Sequence, residues 1–176
     1  MLDIFYAPKT DFTSSAQMLK KILNERFSVF EYEIYKSENG KPFLSLKKQE
    51  TTPLFFSVSH TDTAYFIAFS NENIGIDAEP LSRKTNYAPI LKKFAAEERN
   101  FVQNDKDFLL LWTAKESAIK WLDGTIAKDL KKLTYVNKML TLNGLQLPLK
   151  VYEFEFFEHV ITVCKETATL ATFHKL

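Results

Sequence analysis

The sequence of 176 residues has one cysteine, four glycines and almost no excess of charge of either sign. Because Cys164 has no partner, an intramolecular disulfide is excluded, which suits a reducing compartment. The net charge of +1 gives no global attraction for nucleic acid, so an anion site would have to be local. No segment approaches the roughly 20 apolar residues that cross a bilayer, and the N-terminus is unlike a signal peptide. We therefore expect a soluble, cytoplasmic protein.

Apolar residues, by contrast, are plentiful. They make up 45% of the chain and include 16 phenylalanines, so a core can form without disulfides. A chain of this length is one compact unit or two small lobes that share a core.

The first half of the chain has mostly strand-like patterns around one helix. Ser14 or Ser15 is expected to cap a helix whose apolar residues have helical spacing. That stripe consists of Met18, Leu19, Ile22 and Leu23. Alternating or short apolar runs predict strands over residues 2–7, 28–36, 54–59, 64–70 and 74–78. Asn39 and Gly40 indicate a turn.

The second half begins with helices and ends with strands. The pattern predicts a helix over 88–103, interrupted once, and a long helix over 105–122 that Gly124 closes. Strands are predicted over 133–142, 149–157 and 159–173. This order indicates an α+β fold with two related lobes, residues 1–73 and 74–176.

Residues 74–79 (IGIDAE) place two acidic residues in an apolar segment. Alternate side chains of a strand share a face, so Asp77 and Glu79 would point the same way. Two neighbouring carboxylates repel each other unless a cation neutralises them, and oxygen ligands suit Mg²⁺. The alternative is that Glu79 has left the strand and Asp77 caps a turn, since acidic residues are common at exposed strand ends.

Residues 112–120 (WTAKESAIK) form a second motif, on the predicted long helix. Trp112, Glu116 and Lys120 are spaced four residues apart and so lie on one stripe. A plain alternative is an exposed Glu–Lys pair, worth about 0.3–0.5 kcal/mol, beside a core tryptophan.

Together, in this order and at this separation, I-G-I-D-x-E and W-x-x-K-E-S-x-x-K resemble the signature of 4′-phosphopantetheinyl transferases. Residues 40–43 (GKPF) and 56–61 (FSVSHT) resemble the G-K-P turn and the F-N-I-S-H-S segment of the surfactin-synthetase-type branch. This resemblance implies a pseudo-dimer of two similar α+β lobes in one chain, working as a monomer with the site at the lobe junction. One departure is the segment 11–27, which is less basic than the Arg-rich helix of longer members.

The resemblance also implies an activity: the phosphopantetheine arm of coenzyme A moves to a serine of an apo carrier protein, and 3′,5′-ADP leaves. Asp77, Glu79 and Glu116 would hold Mg²⁺, with Mn²⁺ as an option. Glu116 would also accept the serine proton, directly or through a water, with Lys120 as the second catalytic residue.

Further residues would contact the coenzyme A donor, as the resemblance implies. Lys120 and Lys115 would contact the pyrophosphate. His60 would contact the 3′-phosphate with help from Ser59, and Lys41 would contact the adenine or its phosphate.

The acceptor would be an acyl or peptidyl carrier of fatty-acid, polyketide or nonribosomal-peptide synthesis. Because such carriers are acidic around their serine, we expect a basic docking surface, with candidates Lys92, Lys93, Lys128, Lys131 and Lys132. Two other functions fit the motifs: a metal-dependent hydrolase of nucleotide pyrophosphates, and a non-catalytic module that binds coenzyme A or a carrier.

Overall fold

The computed structural model describes residues 1–47 and 53–176, which contain five helices and twelve strands. The strands are β1 (Leu2–Pro8), β2 (Tyr32–Lys36), β3 (Pro42–Leu46), β4 (Phe55–His60), β5 (Ala64–Ser70), β6 (Gly75–Pro80), β7 (Leu133–Val136), β8 (Met139–Leu142), β9 (Leu145–Gln146), β10 (Lys150–Phe156), β11 (His159–Lys165) and β12 (Thr172–Lys175). The helices are α1 (Ser15–Arg26), α2 (Ala88–Leu91), α3 (Ala96–Phe101), α4 (Asp105–Trp121) and α5 (Ile126–Asp129). The predicted α+β class is confirmed.

Two sheets organise the molecule. The first has the strand order β12-β1-β5-β4, with β1 parallel to β12 and antiparallel to β5. The second has the order β10-β11-β6 and is antiparallel throughout. Two smaller units, the β2–β3 hairpin and the β7–β8–β9 meander, lie outside these sheets.

Because side chains alternate between the two faces of each strand, the buried apolar residues form three clusters. These clusters lie between four layers of the molecule, which are α1, the first sheet, the second sheet and α4. Helix α1 packs on one face of the first sheet through the four predicted apolar residues, and Ser14 caps it by accepting the Gln17 N–H. The other face of that sheet meets the second sheet through residues such as Ile4, Phe66 and Ile76. Helix α4 covers the far side of the second sheet.

Strands β4 and β6 bring the two sheets together through side chains instead of a backbone ladder. The Ser57 hydroxyl accepts the Ile76 N–H at 3.1 Å, and the Ser59 hydroxyl accepts the Ala78 N–H at 3.1 Å. These bonds satisfy backbone donors that would be costly to bury unpaired. The seam therefore places the two predicted segments, 56–61 and 74–79, side by side.

Several predicted boundaries differ from the structure. The second predicted strand begins only at Tyr32, and β3 was not predicted. The segment 88–103 holds two short helices, as the predicted interruption allowed, and 159–173 is split into β11 and the start of β12. Because β12 returns to pair with β1, the C-terminal half contributes a strand to the first sheet. The division at residue 73 and the likeness of the two lobes stay predictions.

The end of α4 corrects the role predicted for Gly124. Asp123, with φ of 54°, takes the left-handed position that usually favours glycine. The Gly124 N–H then bonds to the Ile119 carbonyl at 2.9 Å, as in a Schellman motif. Within residues 1–47 and 53–176, no helix is long and apolar enough to span a membrane.

Gly75 permits α4 to lie directly on β6. A Cβ atom at this position would be 2.0 Å from the Ser117 carbonyl oxygen and 2.7 Å from the Trp121 nitrogen, both backbone atoms. Gly75→Ala is therefore expected to lower the free energy of unfolding by about 3 kcal/mol, at the upper end of overpacking costs. Urea denaturation would measure the change.

Gly144→Ala is the matched control for this substitution. Its Cβ would meet nothing within 4 Å, although its φ of +81° makes a side chain strained. We expect a loss of only about 1 kcal/mol there. If Gly75→Ala were no worse than Gly144→Ala, the contact between α4 and β6 would not be the reason for a glycine at position 75.

Candidate active site

Asp77 lies on β6 at the seam between the sheets and is 4% exposed. Its Oδ1 accepts the Ser59 hydroxyl at 2.9 Å and the Lys120 ammonium at 2.8 Å. Its Oδ2 is buried and has no hydrogen-bond partner among the described residues. A buried carboxylate oxygen without a partner is costly, so it marks a place that suits an added cation or donor.

Glu79 lies two residues further along β6 and borders an open cleft of about 540 Å³. His60, Arg83 and Lys9 line the same cleft. Glu79 forms an ion pair with Arg83, and burial raises its pKa above the usual value although Arg83 opposes the shift. Asp62 lines this cleft as well, so it combines two carboxylates with three basic side chains, which are the groups that an anionic ligand would contact.

Glu116 is half-buried on the face of α4 that contacts β6. Burial raises the pKa of its carboxyl to about 8; the charge of Asp77 adds to the shift, Lys120 opposes it and Glu79 adds a little more. The carboxylates of Asp77, Glu79 and Glu116 are therefore near enough to repel one another. The two motifs that the sequence separates meet here.

Lys120, on α4, connects this helix to β4 and β6 at the seam. Its ammonium donates to the carbonyls of Val58 at 3.2 Å and Ile76 at 2.8 Å as well as to Asp77. An ammonium has three donors, so all are used. A phosphate oxygen at Lys120 would have to share or replace one of these partners.

The residues at this seam fit a divalent cation by chemistry, although they do not form a ready-made cage. In the described part of the chain, no group of three or more His, Cys, Asp or Glu side chains has an arrangement that could hold a metal ion. The carboxylates of Asp77 and Glu79 are instead paired with Lys120 and Arg83. Asp77 Oδ2 nevertheless has no partner among the described residues, and the charges of Asp77 and Glu79 add to the rise in the Glu116 pKa that burial mainly causes. A cation would relieve this repulsion among acidic groups.

Lys41 lies in the predicted turn and lines a second cavity, of about 250 Å³, with Lys120 and Ser57. Its ammonium donates to the Asn73 side chain at 2.6 Å and to the Trp121 carbonyl at 3.3 Å. Burial lowers the pKa of Lys41 to about 8, and nearby Asp123 opposes the shift. The structure thus places Lys41 and Lys120 together beside the seam.

The prediction for Lys115 is wrong. Its side chain is fully buried, and its ammonium contacts both carboxylate oxygens of Glu98 at 2.9 and 3.0 Å. Adjacent residues of a helix point about 100° apart, so Lys115 faces the C-terminal core while Glu116 faces the seam. Lys115 therefore cannot reach a ligand in either cavity.

The prediction that Ser59 helps to bind the donor is also corrected. Ser59 is 5% exposed, and its one hydroxyl proton is donated to Asp77. Neighbouring residues of a strand face opposite ways, so His60 is exposed at the cleft while Ser59 points into the seam. Ser59 thus positions Asp77, and His60 remains available to a ligand.

Sequence reasoning missed Lys9, Ser57, Asn73 and Arg83, all of which line these cavities or bond to residues that do. Arg83 reaches Glu79 through the turn that follows β6, so the helical four-residue rule does not indicate their ion pair. Lys9 comes near His60 only because β1 pairs with β5. No local pattern in the sequence indicates that pairing.

Comparison with known proteins agrees with the motifs. A family model described as the 4′-phosphopantetheinyl transferase superfamily matches residues 73–164. The chain is also 30% identical over 135 residues to the 4′-phosphopantetheinyl transferase gsp of Aneurinibacillus migulanus. That alignment covers 70% of this chain and 53% of the relative, so the chain spans about half the length of the relative that it matches.

Proposed function

Because the chain belongs to the 4′-phosphopantetheinyl transferase superfamily, we propose that it transfers the phosphopantetheine arm of coenzyme A to a serine of an apo carrier protein. In that reaction a bond forms between the serine oxygen and the β-phosphorus, and the bond to the leaving 3′,5′-ADP breaks. The observation that carries the proposal is the meeting of Asp77 on β6 with Lys120 on α4 at 2.8 Å, beside Glu116. Phosphoryl-type transfer depends mainly on such placement of charge.

Mg²⁺, or Mn²⁺ in its place, would be held by Asp77, Glu79 and Glu116. When bound, it would neutralise the charge of the pyrophosphate. Asp77 offers its unpartnered Oδ2 without giving up the bonds of Oδ1.

The remaining steps belong to side chains of this protein. Glu116 would accept the serine proton, directly or through a water, and Lys120 would bind the pyrophosphate. The cleft with His60, Lys9 and Arg83 offers three basic groups for the 3′-phosphate, while Lys41 lies on the other side of the seam for the adenine or its phosphate.

The acceptor side of the proposal rests on exposed lysines of the C-terminal half. Lys92, Lys93, Lys128, Lys131 and Lys132 are all exposed, as a docking surface for an acidic acyl or peptidyl carrier requires. We further propose that the two halves form a pseudo-dimer and act as a monomer, with the site between them.

Incubation with coenzyme A, Mg²⁺ and several apo carrier proteins tests the proposal by mass spectrometry of the carrier. A gain equal to one phosphopantetheine arm supports transfer, and carriers of fatty-acid, polyketide and nonribosomal-peptide synthesis would show which acceptor is used. Release of nucleotide without that gain would instead make the protein a pyrophosphate hydrolase. Binding of coenzyme A without release or transfer would make it a binding module.

His60→Ala is expected to raise the KM for coenzyme A about tenfold or more while kcat changes little. The reason is that His60 lines the cleft proposed for the 3′-phosphate, a group that takes no part in the bonds formed and broken, so its contact would be equal in the ground state and the transition state. Steady-state kinetics with coenzyme A and with a donor lacking the 3′-phosphate would measure the effect, and the mutation should add little loss for the latter.

His174→Ala controls for loss of an imidazole elsewhere. His174 lies on β12 and bonds to Asp3 at 2.8 Å, outside the cleft. The KM of His174→Ala for coenzyme A should stay near that of the wild type. A fall in kcat alone for His60→Ala would place His60 nearer the reacting atoms than we propose.

A further inference from the structure

The tip of the β2–β3 hairpin is fastened to the C-terminal end of α4. We propose that Asp123 is a positioning residue, which holds the turn 37–41 against this helix end and thereby sets the position of Lys41 for the donor. This inference rests on the proposed function only in taking coenzyme A as the ligand.

Two hydrogen bonds tie the turn to Asp123. The Ser37 hydroxyl donates to Asp123 Oδ1 at 2.6 Å, and the Asn39 side-chain amide donates to the Asp123 carbonyl at 2.7 Å. The same Ser37 oxygen accepts the backbone N–H of Lys41 at 3.1 Å. The carboxylate is thus connected to the backbone of Lys41 through one hydroxyl group.

The side chain of Lys41 completes the connection from the other direction. Its ammonium bonds to Asn73, just before β6, and Asn73 donates to the Trp121 carbonyl at 2.8 Å. The hairpin tip, the start of β6 and the last turn of α4 therefore meet around Lys41. We call this set of contacts, formed by Ser37, Asn39, Lys41, Asn73, Trp121 and Asp123, the hairpin latch.

The backbone supports a role for the carboxylate itself. Asp123 has a φ of 54°, a region in which glycine is favoured and aspartate is only tolerated. Gly40, at the other side of the latch, has a φ of +90° and open space around it. A glycine at 123 would suit the helix end at least as well, so the side chain that stands there contributes something that backbone geometry alone does not require.

The latch also forms a wall of the cavity that Lys120 enters. Asn39, Lys41 and Asp123 line it on one side, and Ser57 and Lys120 line it on the other. A carboxylate in such a wall repels an anionic donor. At a pH well below the pKa of Lys41, where this lysine stays charged without Asp123, electrostatics alone therefore predicts tighter binding once the charge is removed. A positioning role predicts the opposite when the hydrogen bond is lost. The two explanations can therefore be separated by substitution.

Asp123→Asn and Asp123→Gly make that separation. Asparagine removes the charge but keeps an oxygen for the Ser37 hydroxyl, and it tolerates the left-handed conformation. Glycine removes both the charge and the oxygen, but it favours the left-handed backbone conformation at this position, so the protein should still fold. We expect the Kd and the KM for coenzyme A to rise about tenfold in Asp123→Gly, and to stay within about twofold of the wild type in Asp123→Asn, with kcat nearly constant in both.

Ser37→Ala tests the partner of the bond. If the two side chains act together, Ser37→Ala in the Asp123→Gly background should raise Kd by less than about twofold further. Amide hydrogen exchange should be faster in residues 32–46 of Asp123→Gly than of Asp123→Asn. This difference is a readout that loss of helix stability alone would not produce.

Calorimetry of coenzyme A binding needs no carrier protein, so it stays informative if no carrier is modified and transfer itself fails. Equal or tighter binding by Asp123→Gly would overturn the proposal in favour of simple charge repulsion. The proposal would also be overturned if the rise in Kd of the double variant equalled the product of the rises in Ser37→Ala and Asp123→Gly, because the two side chains would then act independently. A wild-type protein that binds no coenzyme A would overturn both this inference and the proposed function.

Discussion

Lys115→Met is expected to lower the free energy of unfolding by about 3–5 kcal/mol, the range for breaking one side of a buried ion pair. Lys115 and Glu98 are both fully buried, and the Lys115 ammonium also lies 3.9 Å from the centre of the Phe94 ring. Burial lowers the pKa of Lys115, and Glu98 opposes the shift. For a chain of this size the loss corresponds to a melting temperature lower by about 6–20 °C.

Glu98 explains why the loss should be large. Its carboxylate also accepts the backbone N–H groups of Tyr135 at 2.8 Å and Ala95 at 3.0 Å, so it links α3 to α4 and β7. Methionine would fill the space of the lysine but would leave this carboxylate charged and without its cation. Glu98→Gln combined with Lys115→Met should recover much of the stability, since the uncompensated charge is then removed.

Lys120→Met, on the same helix, is the matched control. Its side chain is 30% exposed, against 0% for Lys115, so the loss of stability should be smaller than for Lys115→Met even though buried Asp77 loses its cation, while transfer should be impaired. If Lys115→Met were as stable as the wild type and had a raised KM for coenzyme A, Lys115 would be a ligand contact after all. That result would also mean that α4 is rotated relative to the structure described here.

Much of the site was predictable because its chemistry is local. The spacing of Asp77 and Glu79 on a strand, and of Glu116 and Lys120 on a helix, fixes which side chains share a face. The same periodicity predicted the buried stripe of α1, and all four of its residues are in the core.

The predictions that failed concern residues whose partners are distant in the chain. The sequence places Lys115 and Glu116 next to each other, but only the position of Glu98 decides which of them faces the core. Ser59 stands beside His60, yet its proton is used by Asp77 across the seam. Asp123 was missed because its partner is the hydroxyl of Ser37 in the β2–β3 hairpin, 86 residues away in sequence. Tertiary pairing overrides local pattern in each case.

Glu116→Gln is expected to slow transfer about 10²–10⁴-fold even at saturating Mg²⁺, the usual range for a lost general base. Glutamine keeps the size and one oxygen of glutamate, so some metal binding should survive, but it cannot accept a proton at neutral pH. Folding should not suffer. Because the pKa of Glu116 is raised to about 8, the metal-free protein holds this group mainly protonated at pH 7, and glutamine resembles that form.

Single-turnover rates measured against Mg²⁺ concentration separate the two roles proposed for Glu116. A residue that served only to hold the cation would leave a defect that more Mg²⁺ repairs, whereas a lost proton acceptor leaves a deficit that no concentration removes. Lys120→Ala is the control on the same stripe of α4, because it removes a charge near the phosphates without removing a proposed metal ligand. The rate of Lys120→Ala should therefore not recover as the Mg²⁺ concentration is raised, whereas the rate of a protein with a weakened metal site would. Full recovery of Glu116→Gln at high Mg²⁺ would remove the proton-accepting role and assign the serine proton to another acceptor.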